Sequence, residues 1–274
     1  YDSVISKPTL SLTTDSNIDG DAITNVDAVT PGNLDAGTTV EYSVDGGTTW
    51  SDSFNATQGS NTVVVRQTDV AGNSATSDPL TFNYDSVISK PTLSLTTDSN
   101  IDGDAITNVD DVTPGNLDAG TTVEYSVDGG TTWTNSFSAT QGSNTVVVRQ
   151  TDVAGNSATS DPLTFTYDSQ ISKPTLTLDT DSNIDGDAIT NVDAVTPGNL
   201  DAGTTVEYSV DGGTTWSDSF NATQGSNTVV VRQTDVAGNS ATSDPLTFNY
   251  DSVISKPTLS LTTDSNIDGD AITN

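Results

Sequence analysis

The chain has no cysteine, histidine or methionine, and its 7 basic residues face 38 acidic ones. Without cysteine there is no disulfide scaffold and no thiol nucleophile, although that absence alone does not fix a compartment. A formal net charge of −31 argues against nucleic acid and anionic membranes as partners, since both repel a polyanion. No apolar run approaches the roughly 18 residues a membrane-spanning helix needs, and no signal-peptide pattern opens at Tyr1. Hydrophobic residues make up 32% of the chain. That is low for one large globule and suits several small domains with thin cores. The acidic excess also calls for counter-ions held specifically, and divalent cations are the obvious ones.

What the chain has in abundance is repetition. Tyr1-Asp2-Ser3 returns at Tyr84, Tyr167 and Tyr250, a period of 83 residues. Residues 26–83 and 192–249 are identical, and the changes elsewhere are mostly small and polar, such as Ser51 to Thr134, Asp52 to Asn135 and Asn55 to Ser138. A unit of this size folds alone rather than as a solenoid turn. The expected domains are 1–83, 84–166 and 167–249, with 250–274 as the first strand and acidic loop of a fourth. That last stretch is expected to dock on the preceding unit or on a neighbouring chain.

Within a unit the pattern is β throughout, with no helical periodicity. Thr9–Thr13 sets Leu10 and Leu12 on one face, behind a proline at the strand start. A second strand is expected near Val26–Gly32. Thr38–Val44 alternates, with Val40, Tyr42 and Val44 expected inward and Glu41 and Ser43 outward. Asp45-Gly46-Gly47 makes a hairpin turn, and the return strand offers Trp50 and Phe54 to the core. Thr62–Asp69 is the strongest strand, Val70–Ser77 reads as a loop, and Leu80, Phe82 and Tyr84 alternate along the closing strand. Seven or so short strands with a turn every 8–12 residues predict an all-β fold: tandem antiparallel Ig-like β-sandwiches in a linear array.

The organising stretch is the acidic loop Thr14–Asn25, whose core reads D-x-N-x-D-G-D and which recurs at 97–108, 180–191 and 263–274. Oxygen side chains at alternate positions followed by a glycine let one loop wrap a hard cation, as in the first half of an EF-hand. Asp15, Asn17 and Asp19 take the first three ligand positions and Gly20 the turn, but the twelfth position is Val26, not a bidentate glutamate. An EF-hand is therefore excluded, while a calcium loop of another architecture is not. The competing reading is an Asx-rich solvated turn. Missing carboxylates would come from Asp27 or the linker's Asp85. Sandwich topology places the acidic loop and the linker at one pole of their domain. Facing them is the next domain's second-to-third loop (Asn116, Asp118) and last hairpin (Asp152, Asn156). The first unit alone carries 11 acidic and 2 basic residues, a net of −9, so Ca2+ at such a junction would both screen repulsion and fix the interdomain angle.

Other motifs carry less. Ser43-Val44-Asp45-Gly46-Gly47-Thr48-Thr49-Trp50 resembles the Asp-box best known from sialidases, a hairpin-stabilising device remote from their chemistry. Each unit has a single arginine (Arg66, Arg149, Arg232), so the motif reads as a structural turn with Trp50 in the core. Asn55-Ala56-Thr57 is a formal N-glycosylation sequon, kept at Asn221 and lost at Ser138. The lysine before proline in each unit (Lys7, Lys90, Lys173, Lys256) reads as a junction salt bridge rather than an isopeptide donor. No raised-pKa pair, nucleophile–base pair or phosphate-cradling loop is evident, so no catalysis is expected.

With these motifs in view, the chain resembles the bacterial Ig-like extender repeats of giant calcium-dependent RTX or biofilm-type adhesins exported by type I secretion. The resemblance covers every unit. It rests on K-P-T-L-x-L (Lys7–Leu12), the loop ending D-A-I-T-N, the V-D-G-G-T-T-W hairpin, and V-x-x-T-D-x-A-G-N-S (Val64–Ser74). It implies a stalk stiffened by calcium at domain junctions, with ligands at Asp15, Asn17, Asp19, Asp21 and the linker Asp85. In the second unit the set is Asp98, Asn100, Asp102, Asp104, the hairpin Asp152 and the linker Asp168. In the third it is Asp181, Asn183, Asp185, Asp187, Asp235 and Asp251, and in the fourth Asp264, Asn266, Asp268 and Asp270. The expected function is thus a structural extender of an extracellular, cell-surface adhesin, its partners being neighbouring repeats and identical chains in a fibre or matrix. The alternative is a biofilm-matrix module that binds glycans or identical chains directly.

Overall fold

The computed structural model describes residues 4–259. Asp264, Asn266, Asp268 and Asp270, and the expected docking of 250–274 beyond residue 259, lie outside them. The chain divides into two compact units, Tyr1–Asp168 and Ser169–Asn274. The described residues contain β-strands and no helix, and one set of seven strands occurs three times, twice in the first unit and once in the second.

In the first set, β1 (Thr9–Leu12) pairs antiparallel with β3 (Val29–Gly32), placing Leu10 against Pro31 and Leu12 against Val29. The facing sheet is built on β5 (Gly59–Thr68), the longest strand. One edge of β5 takes β4 (Thr39–Ser43), with Thr39 opposite Thr68. The other takes β6 (Ser74–Thr76) and then β7 (Leu80–Tyr84). Between β6 and β7 the register shifts by one residue, from Arg66↔Thr76 to Val63↔Leu80, a bulge that breaks the strand ahead of Pro79. The Ser77 hydroxyl covers the break by accepting the Val65 N–H at 3.0 Å.

The outermost strand departs from the sequence expectation. Ile23–Thr24, inside the acidic stretch, forms β2 and pairs in parallel with Asn83–Tyr84 of β7, so the sandwich is not wholly antiparallel. Thr24 fixes this short strand: it is fully buried, its hydroxyl donates to the Thr14 carbonyl at 2.7 Å, and it accepts the Val26 N–H at 3.0 Å. The expected loop at Val70–Ser77 likewise contains β6.

The strands recur as β8 (Thr92–Leu95) through β14 (Leu163–Tyr167) in the second set and β15 (Thr175–Leu178) through β21 (Leu246–Tyr250) in the third. In the second set the core gathers Val112, Val146 and Phe165, with Leu93, Leu95, Tyr125 and Phe137 packed against them. In the first, Phe54 lies between Tyr42 and Phe82, 6.3 Å from each ring.

Two expectations about the hairpin are corrected. Trp50 is outside the core: Arg66 lies over its ring at 4.1 Å, and its indole N–H donates to the Gly47 carbonyl. Gly47 has a left-handed φ of 92°, and a Cβ there would come within 3.2 Å of the indole. The turn therefore seats the ring on its own backbone rather than against the sheet. Val44 is 68% exposed and Ser43 is buried, the reverse of simple alternation. Ser43 turns in because its hydroxyl donates to Asp45 Oδ1 and accepts the Gly47 N–H, at 2.7 and 2.8 Å. Asp45 also takes the Thr48 and Thr49 N–H groups and the Thr49 hydroxyl.

A buried amide closes the opposite pole. Gln67, fully buried, accepts from the Asp35 N–H and the Thr38 hydroxyl and donates to the Ser6 and Asn33 carbonyls. Gln150 and Gln233 repeat the clamp.

Candidate metal-binding junction

The acidic loop is shaped by its own carboxylates. Asp15 Oδ2 accepts the Gly20 N–H at 2.7 Å, and Asp21 Oδ1 accepts the Ile23 N–H at 2.9 Å. Asp98 and Asp104, then Asp181 and Asp187, make the same pairs in the next two sets. Asn17, Asn100 and Asn183 take left-handed φ values of 68°, 67° and 74°, a conformation asparagine tolerates better than most residues. So far this is an Asx-rich turn. One atom does not fit that description: Oδ1 of Asp15, and equally of Asp98 and Asp181, is buried with no hydrogen-bond partner. A buried anionic oxygen left unpaired is costly, and a cation is the natural partner for it.

The first unit contains a junction between two strand sets, and the loop reaches across it. The Ser16 hydroxyl accepts the Asn25 N–H at 2.9 Å and donates to the Ala154 carbonyl at 2.6 Å. The Asn17 amide donates to the Asp152 and Val153 carbonyls at 3.2 and 3.1 Å. From the other side, the Asn156 amide donates to the linker carbonyl of Asp85 at 2.8 Å. The contact is close: a Cβ at Gly155 would lie 3.3 Å from Asn17 Cβ. It also covers apolar surface, since Val153 is 38% exposed where its counterpart Val70 is 99% exposed. Acidic loop, linker and following hairpin thus meet at one place.

The proposed ligands are not all free to meet there. Asp152 contributes its carbonyl, while both its carboxylate oxygens accept from Asn156, Oδ1 from the backbone and Oδ2 from the amide. Asp85 Oδ1 accepts from the Gln58 amide and the Val87 N–H, and Asp168 and Asp251 are bound in the same way by Gln141 and Gln224. In Asp251 the Gln224 bond, followed by the Val253 N–H, holds the carboxyl below its ordinary range. Asp19, Asp102 and Asp185 are exposed at the loop tips. Asp235 belongs to the third set's hairpin, where it accepts from Asn239. Among the described residues no three acidic side chains converge into a ready-made metal cluster.

Three further expectations move. Asn116 and Asp118 serve their own repeat: the Asn116 amide donates to the Lys90 carbonyl, and Asp118 Oδ2 accepts the Ser89 N–H at 2.7 Å. The Ser89 backbone and hydroxyl together depress the Asp118 pKa. Asp27 is exposed, and its carbonyl takes the Ala56 N–H of its own repeat. Lys7 pairs with Asp78 at 2.6 Å within the repeat, not across a junction, and Lys90 and Lys173 do likewise with Asp161 and Asp244. Sequence reasoning missed Ser16 and Ala154 as junction residues. The only signal was their place beside the loop and hairpin motifs.

No family model matches the chain, and no curated protein does. Solved structures similar to it include a tetra-tandem repeat from the extending region of a large adhesion protein, at 18% identity over 90% of this chain and 74% of that one, with a TM-score of 0.25. Another belongs to a 1.5-MDa bacterial ice-binding adhesin, at 18% identity, 91% and 98% coverage and a TM-score of 0.32. A third is the FN1–FN3 segment of chicken CNTN1, at 10% identity, 89% and 99% coverage and a TM-score of 0.30. At such identities and scores the functional reading has to come from the chain's own residues.

Proposed function

We propose that the chain is a structural extender from a bacterial adhesin outside the cell, each 83-residue repeat forming one sandwich and calcium bracing each junction so that a distal binding domain is held away from the surface. The observation that carries this reading is the acidic loop seated on the following hairpin with a buried, unpartnered carboxylate oxygen at Asp15. Asp15 Oδ1 would hold the ion, with Asp19, Asp21 and Asp85 as the further carboxylates, and Asp98 and Asp181 would start the equivalent sites. Ca2+ takes 6–8 oxygens and accepts backbone carbonyls readily, which suits a loop with one orphaned carboxylate oxygen and several carbonyls. Bound there, the ion supplies positive charge between acidic domains and nothing chemical.

Small-angle scattering of the whole chain at matched ionic strength, with calcium and then with a chelator, tests the reading. A narrow distribution of maximum dimension with calcium that broadens on chelation is the expected result. A profile indifferent to calcium would reduce the acidic loops to solvated turns.

A further inference from the structure

Beside the Asp-box hairpin of the first repeat lies a groove of about 190 Å³ lined by Tyr42, Val44, Thr49, Trp50, Phe54 and Asn55, with Ser51 and Ser53. The third repeat has the same groove, also about 190 Å³, at Tyr208, Val210, Trp216, Phe220 and Asn221. We propose that these grooves bind one residue of a neutral saccharide.

Charge is the first argument. In a chain of net charge −31, every side chain lining either groove is uncharged. Such a window among carboxylates favours a neutral ligand and disfavours a second copy of this polyanion. Chemistry is the second. Aromatic rings with a rim of hydroxyl and amide groups match the apolar face and the ring hydroxyls of a pyranose. Val44 and Val210, 68% and 66% exposed, give the same wall an apolar lip that the fold does not use.

The second repeat supplies the contrast. It differs from the first at five positions between 26–83 and 109–166, and two of them line the groove: Thr134 and Ser138 replace Ser51 and Asn55, while Asn135 replaces Asp52, which lies between them in sequence and outside the lining. There the polar groups are tied back to the protein. The Thr134 hydroxyl donates to the Ser136 carbonyl at 2.8 Å, and the Ser138 hydroxyl donates to Asp110 at 2.8 Å. That second bond engages the Ser138 hydroxyl with Asp110, whose counterparts Asp27 and Asp193 hold the same place in the other two repeats. In the first and third repeats the side-chain amides of Asn55 and Asn221 make no hydrogen bond to another described residue, which leaves them for a ligand.

A pyranose has about a dozen heavy atoms, so affinity on the order of millimolar is expected for a single site. The proposal stands apart from the calcium reading. The test is an NMR titration of the whole chain with glucose, galactose, mannose, N-acetylglucosamine and, separately, glucuronate. Saturable shifts at amides 49–55 and 215–221 with at least one neutral sugar, and none with glucuronate, are expected. A second chain carries S51T, D52N and N55S with S217T, D218N and N221S. The second repeat folds with these residues, so the variant keeps the fold, and it should bind at least tenfold more weakly. No saturable shift with any neutral sugar, equal response to glucuronate, or unchanged binding by the grafted chain would each overturn the proposal.

Discussion

Gln150→Leu gives the sharpest test of how the fold is held. Gln150 is fully buried, and its amide takes part in four hydrogen bonds. It accepts from the Asp118 N–H at 2.9 Å and the Thr121 hydroxyl at 3.2 Å, and donates to the carbonyls of Ser89 at 2.6 Å and Asn116 at 3.3 Å. Leucine fills a similar volume and strands the Asp118 N–H and the Ser89 and Asn116 carbonyls, while the Thr121 hydroxyl keeps its bond to the Asp118 carbonyl at 3.0 Å. Each lost bond is worth about 1 kcal/mol net, and a stranded buried group costs about 1–3 kcal/mol. Two of the bonds are long, so a total of roughly 3–5 kcal/mol is reasonable. An 83-residue domain has only about 4–12 kcal/mol in all. At about 4–8 °C per kcal/mol for a domain of this size, the second repeat should melt at least 12 °C below its neighbours. Calorimetry of the whole chain would then show an early transition carrying about a third of the enthalpy. Hydrogen exchange should open first at 89 and 118. Gln150→Glu, which keeps the acceptors and buries a charge, should be worse than leucine. A shift of less than about 5 °C, equivalent to about 1 kcal/mol, would refute the clamp.

Asp15→Asn and Asp98→Asn together should lower the number of calcium ions bound in titration calorimetry and abolish part of the calcium-induced rise in Tm. Phe54→Ala should destabilise the first repeat by about 3–5 kcal/mol, as loss of a core ring does, whereas Trp50→Ala should cost less than half of that, because the indole sits on the hairpin under Arg66; denaturant midpoints decide between them. Acid stability follows from Asp45, Asp128 and Asp211, whose carboxyls lie far below their ordinary range through Thr49, Thr132 and the Thr215 N–H with their companion bonds. Their folded pKa values are depressed, so the stability they give is complete above the unfolded value near 4 and is lost as pH falls below it. Urea midpoints should therefore be level between pH 5 and 7 and drop by pH 3, and the triple Asp→Asn variant should show a flatter decline.

Much of the fold was legible because alternation marks a half-buried strand. Leu10 and Leu12, Val63 and Val65, and Leu80 and Phe82 all lie where period two puts them. The same parity puts Gln67 on the core face with Val63 and Val65, a signal outweighed by the polarity of its side chain. β2 left no such trace, since two residues paired in parallel have no period to read. The hairpin misled for a local reason: Ser43 and the left-handed Gly47 rotate the turn, so Val44 and Trp50 leave the faces that alternation assigns. The meeting of acidic loop and following hairpin follows from strand direction. Which oxygens remain free there does not, because it depends on bonds such as Asn156 to Asp152 that only coordinates reveal.

Charge accounting links this composition to the proposed role. Each repeat has one lysine and one arginine, and both are engaged inside it. Lys7, Lys90 and Lys173 pair with Asp78, Asp161 and Asp244, and Arg66, Arg149 and Arg232 pair with Glu41, Glu124 and Glu207 at 2.6–2.7 Å. The contacts that cross from the first repeat to the second are neutral, hydroxyl and amide onto carbonyl. They set register, but they do nothing for the Asp15 oxygen buried beside them without a partner. The repeats keep no cation in reserve for that oxygen, so on the extender reading its counter-charge comes from solution. Monovalent salt screens exposed charges beyond about 8 Å at physiological strength, yet it places no ligand against a buried atom. A divalent ion does both, which is why the junction's stiffness should follow calcium and not ionic strength.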